Sequence, residues 1–265
     1  MRRFGLLGRI AAATVICLGL PGAASAGPEV DVALVLAVDI SYSMDPEEQR
    51  LQRDGYVAAF RSAPVVDAIG RGALGRIAVS YVEWAGESDQ RVVVPWTILD
   101  TPGSVEAFAA DLAGKPTRRS FWTSISAAID FSARLLAGSD IAAIRQVIDV
   151  SGDGPNNQGR PVVDARADAV GRGITINGLP LQLKEPTGRW DMRDLDLYYR
   201  ECVIGGPGAF LVPVRAQAEF ADAIRTKIVR EIASAEPVRL PIEPAVLEYG
   251  GNCRAGERSG GSWQD

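Results

Sequence analysis

The segment LVLAVDISYSMDPEEQ, residues 34–49, decides the fold, because an apolar run stops abruptly at Asp39 and polar side chains follow it. The run is rich in Val and Leu, which predicts a strand that is buried on both faces. Asp39, Ser41 and Ser43 then occupy alternate positions. Alternate side chains of an extended chain point the same way. We therefore expect three oxygen-bearing groups to converge at the carboxyl end of this strand.

The rest of the sequence predicts an α/β domain in which strands and helices alternate. Apolar runs indicate strands at 32–38, 76–84, 90–98, 146–150, 174–179 and 210–214. Helical patterns occupy 45–62, 101–112, 124–136, 162–170, 195–200 and 216–233. The short turn AGESD indicates a hairpin, and hence one antiparallel edge strand in a mostly parallel sheet. We expect a doubly wound sheet with helices on both faces and a ligand site beyond the carboxyl ends of its strands.

The two ends of the chain are expected to lie outside this domain. Residues 1–26 are typical of a signal peptide, because two arginines precede the apolar run AAATVICLGL and the small residues AASA follow it. An uncleaved membrane anchor is the alternative, although the run is short for a span of about 20 residues. The domain would occupy 27–236, with an insertion at 184–208 and a Pro- and Gly-rich tail at 237–265. We therefore expect an exported protein, periplasmic or secreted, without a membrane span after cleavage.

The composition excludes several classes of function. The chain has 265 residues, a net charge of −5 and no histidine. The absence of histidine excludes Ser-His-Asp and Cys-His catalysis and His-ligated metals. An acidic chain without a basic stripe argues against nucleic-acid binding. Cys202 and Cys253 are the cysteines outside the predicted signal, and an oxidising compartment predicts one disulfide between them, with two free thiols as the alternative.

Oxygen-bearing side chains near three predicted strand or helix ends indicate a metal site. A carboxylate with hydroxyl groups suits a hard cation such as Mg²⁺. Beside Asp39 and the two serines, the segment VIDVSGDGPNN supplies Asp153 and the segment FWTSISAAID supplies Thr123. Simpler interpretations are a helix cap for Asp39, an N-cap for Thr123 and a turn residue for Asp153. Ser124 is the nearest rival of Thr123 as a ligand.

This set of residues resembles the metal ion-dependent adhesion site of von Willebrand factor A-like (VWA) domains. DISYS (39–43) matches the D-x-S-x-S motif of that family, TSISAAID contains its threonine, and SGDG looks like its T-D-G turn. The resemblance covers about 30–235, and DVSGDGPNN and YYRECVIGGPGAF suggest a bacterial branch of exported proteins of unknown function. It implies a divalent cation, with Mg²⁺ preferred and Mn²⁺ or Ca²⁺ as alternatives, held by Asp39, Ser41, Ser43, Thr123 and Asp153. It further implies that the cation binds an Asp or Glu of a partner protein, with no bond made or broken.

Three rival functions are weighed against this interpretation. DISYS also resembles the D-x-D-x-[TV] loop of Mg²⁺-dependent phosphatases, but Ser41 occupies the position of the second acid. Lys115, Lys184 and Lys227 are expected on helix ends or loops, without a catalytic motif. A structural module without metal is the second rival. GRGALG (70–75) follows a predicted helix instead of a strand, so we expect a loop and not a dinucleotide site.

Several large side chains are expected to pack in the core or to border the site. Trp122 adjoins Thr123 and is expected to border the ligand face. Trp190, Tyr198 and Tyr199 are expected to cover the last predicted strand, 210–214, with a partner-facing surface as the alternative. Asp149 is expected to point into the domain and is not counted as a ligand.

Overall fold

The computed structural model of the protein describes residues 27–184, 192–233 and 253–254. The predicted signal peptide and nearly all of the Pro- and Gly-rich tail therefore lie outside the described residues. Within the described part of the chain, no helix is both long and apolar enough to cross a membrane.

A five-stranded sheet forms the centre of the domain. Its strands are β1 (Glu29–Asp39), β2 (Ile77–Trp84), β3 (Gln90–Leu99), β4 (Ala142–Gly152) and β5 (Thr175–Pro180). They lie in the order β3-β2-β1-β4-β5. β1 pairs in parallel with β2 and β4, β4 pairs in parallel with β5, and β3 pairs antiparallel with β2 at the edge. The prediction of a mostly parallel sheet with one antiparallel edge strand is therefore confirmed.

Helices cover both faces of this sheet. They are α1 (Pro46–Phe60), α2 (Ala63–Gly70), α3 (Pro102–Ala113), α4 (Ile125–Ala137), α5 (Val162–Gly171), α6 (Leu195–Tyr198) and α7 (Phe220–Ala233). Leu34 and Leu36 of β1 belong to the hydrophobic core that includes α1, α2, α3 and α7, whereas Val35 and Ala37 belong to the core that includes α4 and α5. Burial on both faces explains why β1 is an uninterrupted apolar run.

A side-chain cap fixes where α1 begins, just after the predicted site. The Asp45 carboxylate accepts from the backbone N–H groups of Glu47 and Glu48, at 2.8 and 2.9 Å. The Glu48 carboxylate accepts in return from Asp45 N at 2.8 Å, which completes a capping box. The helix cap is therefore Asp45, and Asp39 and the two serines are left for another role.

The predicted strand at 210–214 is wrong. The segment runs beside β5 but forms only isolated bridges, between Gly178 and Leu211 and between Leu181 and Val214. Val212 N and Val214 N donate to Gly178 O and Pro180 O, but Pro180 of β5 has no N–H group to donate in return, and this interrupts a regular ladder. The predicted helix at 45–62 also ends earlier, at Phe60, and α2 follows it as a separate helix that the sequence analysis did not predict.

The described part of the insertion after residue 191 packs against β5. The predicted helix at 195–200 occurs as α6 followed by a π-helical turn, Tyr199–Val203. Tyr198 and Tyr199 are buried, and a Cβ atom added at Gly178 of β5 would lie 2.7 Å from Tyr199 Cδ1. Tyr199 therefore packs against β5, the last strand of the sheet, whereas the last strand predicted from the sequence, 210–214, is not a strand. Trp190 lies outside the described residues. In the same turn, Cys202 forms a disulfide with Cys253.

A buried ionic group fastens α7 to the sheet. Lys227 lies within α7 and is 1% exposed, so the prediction that it lies on a helix end or loop is wrong. Its Nζ forms ion pairs with Asp149 of β4 and Glu231 of α7. Burial, and then the charge of Asp149, raises the pKa of Glu231 to about 7. Asp149 points into the domain, as expected.

Candidate metal site

Ser41, Ser43 and Asp153 form a hydrogen-bonded chain at the carboxyl edge of the sheet. Ser43 Oγ donates to Asp153 Oδ1 at 2.6 Å, and Ser41 Oγ lies 2.8 Å from Ser43 Oγ. The backbone turns at this point, where Met44 N donates to Ser41 O at 3.2 Å. The prediction that Asp39, Ser41 and Ser43 lie on an extended chain is therefore wrong. The hydroxyl groups of Ser41 and Ser43 are nevertheless within hydrogen-bond distance of each other.

Asp39 ends the central strand and is fully buried. Its Oδ1 accepts from Ser41 N at 2.7 Å, which shapes the turn that follows the strand. Its Oδ2 is also buried and has no hydrogen-bond partner among the described residues. A buried charged oxygen without a partner is costly, and a neighbouring cation would remove that cost.

Asp39 and Asp153 raise each other's electrostatic energy. Asp39 is the last residue of β1, and Asp153 comes directly after the last residue of β4. The two strands are neighbours in the sheet, with Val38 of β1 paired with Ser151 of β4. Burial, and then the negative charge of Asp153, raises the pKa of Asp39 well above its ordinary value. Burial also raises the pKa of Asp153 to about 6, against the opposing effect of the Ser43 hydrogen bond. A neighbouring positive charge would favour the charged form of both carboxyl groups.

The loop that contains Thr123 is tied to the other two loops by its backbone. Thr123 N donates to Asn157 Oδ1 at 2.8 Å, and Asn157 N donates to Thr123 O at 2.8 Å. Ser120 N donates to Ile40 O at 2.9 Å. Thr123 is 4% exposed, and its hydroxyl is not part of the hydrogen-bonded chain of Ser41 and its neighbours. Thr123 is thus held at this edge of the sheet by the backbone hydrogen bonds of its loop, and not by a described hydrogen bond between its hydroxyl group and Ser41, Ser43 or Asp153.

Ser124, the rival ligand, has another role. It is the N-cap residue of α4, where its Oγ accepts from Ala127 N at 3.3 Å and donates to Gln158 O at 2.9 Å. The interpretation of Thr123 as an N-cap is therefore wrong, because the cap is one residue later. The Thr123 hydroxyl is left for a different function.

Sequence reasoning missed Tyr199, whose hydroxyl lies close behind Asp39. A Cβ atom added at Gly152 would lie 2.9 Å from Asp39 Oδ2 and 3.0 Å from Tyr199 Oη. The Tyr199 hydroxyl is fully buried and, like Asp39 Oδ2, has no hydrogen-bond partner among the described residues. Burial, followed by the charge of Asp39, raises the pKa of Tyr199 well above its ordinary value. No sequence signal links a tyrosine of the insertion to the end of β1, because only the fold brings them together.

Sequence reasoning also missed the position of Lys184. Its Nζ donates to Glu48 Oε2 at 2.6 Å and to Ser43 O at 3.2 Å, and lies 3.4 Å from Asp45 Oδ2. A positive charge therefore borders the serine loop, held there by the two acids of the capping box.

The side chains at this edge suit a hard divalent cation. Two carboxylates and three neutral hydroxyls provide oxygen ligands of the kind that Mg²⁺ and Mn²⁺ prefer. Within the described residues, no group of three or more His, Cys, Asp or Glu side chains could hold a metal, so a site here depends on its hydroxyl groups. The buried, unpaired Oδ2 of Asp39 is the structural observation that fits a cation best.

Comparison with solved structures identifies the class of fold. The pilus adhesin SpaC from Lactobacillus rhamnosus GG is 12% identical, with a TM-score of 0.58 over 78% of this chain and 30% of that chain. A von Willebrand factor type A structure from Catenulispora acidiphila is 17% identical, with a TM-score of 0.52 over 77% of this chain and 43% of that chain. Proximal thread matrix protein 1 from the mussel byssus, in a structure with a zinc-occupied MIDAS motif, is 12% identical, with a TM-score of 0.53 over 78% and 49%. The chain spans less than half the length of these three proteins, and it has the fold of a VWA domain.

The particular family follows from the sequence itself. Residues 29–236 match the model of the family described as "Protein of unknown function (DUF1194)", and the chain belongs to that family. No curated protein matches the chain.

Proposed function

We propose that this VWA-like domain binds a divalent cation, Mg²⁺ in preference to Mn²⁺ or Ca²⁺, through Asp39, Ser41, Ser43, Thr123 and Asp153. The observation that supports this most directly is the buried Oδ2 atom of Asp39, which has no described hydrogen-bond partner. The Asp153 carboxyl group lies nearby, and the pKa values of both groups are raised. Asp39 would be anchored by its bond from Ser41 N, and Asp153 would be oriented by Ser43.

Charge balance suggests what such a site can do. Asp39 and Asp153 together provide two negative charges, which balance one divalent cation, and the hydroxyl ligands add none. A cation bound in this way supplies an electrophilic centre for a carboxylate oxygen from outside the chain. The site is therefore suited to bind an Asp or Glu side chain of a partner protein. The pilus adhesin and the matrix protein of similar fold are consistent with such a role.

Binding without catalysis is the function that these contacts support. A phosphatase-type nucleophile must reach its substrate, whereas the Asp39 carboxylate is fully buried and its Oδ1 holds the turn in place. Lys184 is engaged by Glu48 and Asp45. We therefore propose an adhesion-type module that is not an enzyme.

Export of the protein is part of the same proposal. Residues 1–26 would be removed as a signal peptide, 27–236 would form the binding domain and 237–265 a peripheral tail. The disulfide between Cys202 and Cys253 suits an oxidising compartment, periplasmic or extracellular.

Calorimetric titration with Mg²⁺ and Mn²⁺ tests the metal site. Asp39→Ala should abolish binding with little loss of folding, whereas Asp67→Ala, at an exposed acid of α2, should bind like the wild type. A pull-down from the exported fraction, with Mg²⁺ and with chelator, then tests the partner. Unchanged Mg²⁺ affinity in Asp39→Ala would falsify the assignment of the site.

A further inference from the structure

Three exposed aromatic side chains border the candidate metal site, and we call them the aromatic rim. Tyr42, Phe121 and Trp122 are 48%, 69% and 46% exposed. Tyr42 lies between the two site serines in sequence, and Trp122 immediately precedes Thr123. The other exposed large apolar residues of the described chain, Leu74, Ile144 and Leu197, do not lie on these loops. Single exposed apolar residues are ordinary on a protein surface, but a cluster around a polar site marks a binding surface.

Contacts between its members hold part of the rim in place. The rings of Tyr42 and Phe121 stack with centroids 4.5 Å apart and an interplanar angle of 29°. The guanidinium of Arg119 lies 4.5 Å from the centroid of the Tyr42 ring, and its Nη2 donates to Tyr42 O at 2.7 Å. Aromatic surface that is already fixed loses little conformational entropy when a partner binds.

Trp122 is held in an unfavourable backbone conformation. Its φ is 70°, and it is the one non-glycine residue with a positive φ in the described part of the chain. A bulky side chain disfavours this region, so the neighbouring backbone must impose it. The bonds from Thr123 N to Asn157 and from Ser124 N to Ala85 O at 2.7 Å fix the chain just after it. Such strain is found preferentially where a side chain serves a binding function.

The chemistry of the rim defines the partner that fits it. Resting on the proposed function, we infer that the site recognises a protein segment in which an acidic side chain lies within one or two residues of an apolar side chain. The acid would go to the cation, and the apolar neighbour would pack on Phe121 and Trp122, since rim and site residues are adjacent in sequence. An extended peptide advances about 3.3 Å per residue, which sets this short spacing. Arg119 adds a positive charge that complements an acidic segment.

Single-stranded nucleic acid is the class of partner that these observations favour less. Aromatic rings and arginine can stack on bases, but such proteins also need a basic groove that follows the phosphates. This chain has a net charge of −5, and two carboxylates lie at the centre of the site.

Selection of random peptides displayed on phage tests the inference. Peptides retained by the wild-type protein in Mg²⁺ and released by EDTA should combine an Asp or Glu with a nearby aromatic or aliphatic residue. Phe121→Ser and Trp122→Gly should weaken binding of a selected peptide about tenfold or more, as for central interface aromatics. Ile144→Ser, at a control position that is 65% exposed on β4, should leave it unchanged. Glycine accepts a positive φ, so Trp122→Gly should not lower the unfolding midpoint.

Each other outcome has a distinct meaning. If all variants bind Mg²⁺ and the peptides show an acid without an apolar neighbour, or no peptide is retained, the inference fails while the metal site stands. Equal peptide affinity in Phe121→Ser overturns it as well. If the wild type binds no Mg²⁺, both the proposed function and the inference fail. If the wild type binds an oligothymidine and Phe121→Ser does not, the partner is a nucleic acid and not a protein segment, and the inference is overturned.

Discussion

Replacing Asp153 by asparagine should have opposite effects on stability with and without metal. The substitution keeps the shape of the side chain and an oxygen that can accept from Ser43 Oγ. It removes one of the two negative charges at the site. In chelator at neutral pH the variant should therefore be more stable than the wild type, and in Mg²⁺ it should lose that advantage.

The size of the effect follows from the raised pKa of Asp153. A change from 3.8 to about 6 corresponds to about 3 kcal/mol at about 1.4 kcal/mol per pKa unit. The side chain is partly exposed, so solvent screening reduces the expected gain to about 1–2 kcal/mol. A carboxyl group with a raised pKa in the folded state stabilises the fold below about pH 4, and this contribution is lost as the pH rises through about 6. The gain in Asp153→Asn should therefore be present at about pH 7.5 and absent at about pH 4.

Urea unfolding at the two pH values, in EDTA and in Mg²⁺, measures this effect. Mg²⁺ should stabilise the wild type by about 2.7 kcal/mol when its concentration is about 100 times Kd, and should stabilise Asp153→Asn far less. Asp67→Asn, at the exposed acid of α2, serves as the control. If Asp153→Asn is no more stable than the wild type in EDTA at neutral pH, or if Mg²⁺ stabilises both proteins equally, the proposed role of the Asp153 charge is wrong.

Three further substitutions test the buried contacts. Tyr199→Phe removes a buried hydroxyl that lies close to Asp39 and has no described hydrogen-bond partner, so it should not destabilise the metal-free protein. Calorimetry should show that it weakens Mg²⁺ binding about fivefold. A lower unfolding midpoint with unchanged Mg²⁺ affinity would contradict this prediction. Lys227→Met leaves two buried carboxyl groups without their cation and should lower the free energy of unfolding by about 3–5 kcal/mol in urea. The exposed Arg225→Met is its control, and an equal loss there would count against the buried ionic group. Cys202→Ser removes a disulfide that joins residues 51 apart in sequence, so it should lower the free energy of unfolding by about 4 kcal/mol, measured by thermal or urea unfolding. A decrease of less than about 1 kcal/mol would show that the disulfide does not constrain the unfolded chain.

Local patterns were sufficient to predict the sheet and the order of the site loops. β1 is apolar throughout because both its faces are covered, and Asp45 and Thr101 start their helices with side-chain caps that can be recognised in sequence. The functional role of Asp39 could also be predicted from the sequence, because a carboxylate at the end of a buried apolar strand does not contribute to packing.

Long-range packing explains what the sequence did not reveal. The run at 210–214 is apolar because it covers the edge beyond β5, but Pro180 of β5 lacks an N–H group that a regular ladder between the two segments would need. Lys227 occupies a helix interior only because Asp149, distant in sequence, compensates its charge. Tyr199 reaches the site through the insertion, and no periodicity records that contact. The positive φ of Trp122 likewise depends on neighbouring loops and not on its own sequence.

A crystal structure of the protein grown in Mn²⁺, with data collected at the manganese absorption edge, would show whether a cation binds at the proposed site. We expect one strong anomalous peak at the carboxyl edge of the sheet, within coordination distance of Asp39, Ser41 and Ser43 and with Asp153 and Thr123 as direct or water-mediated ligands. The absence of a peak there at saturating Mn²⁺, or a peak only elsewhere on the protein, would contradict it.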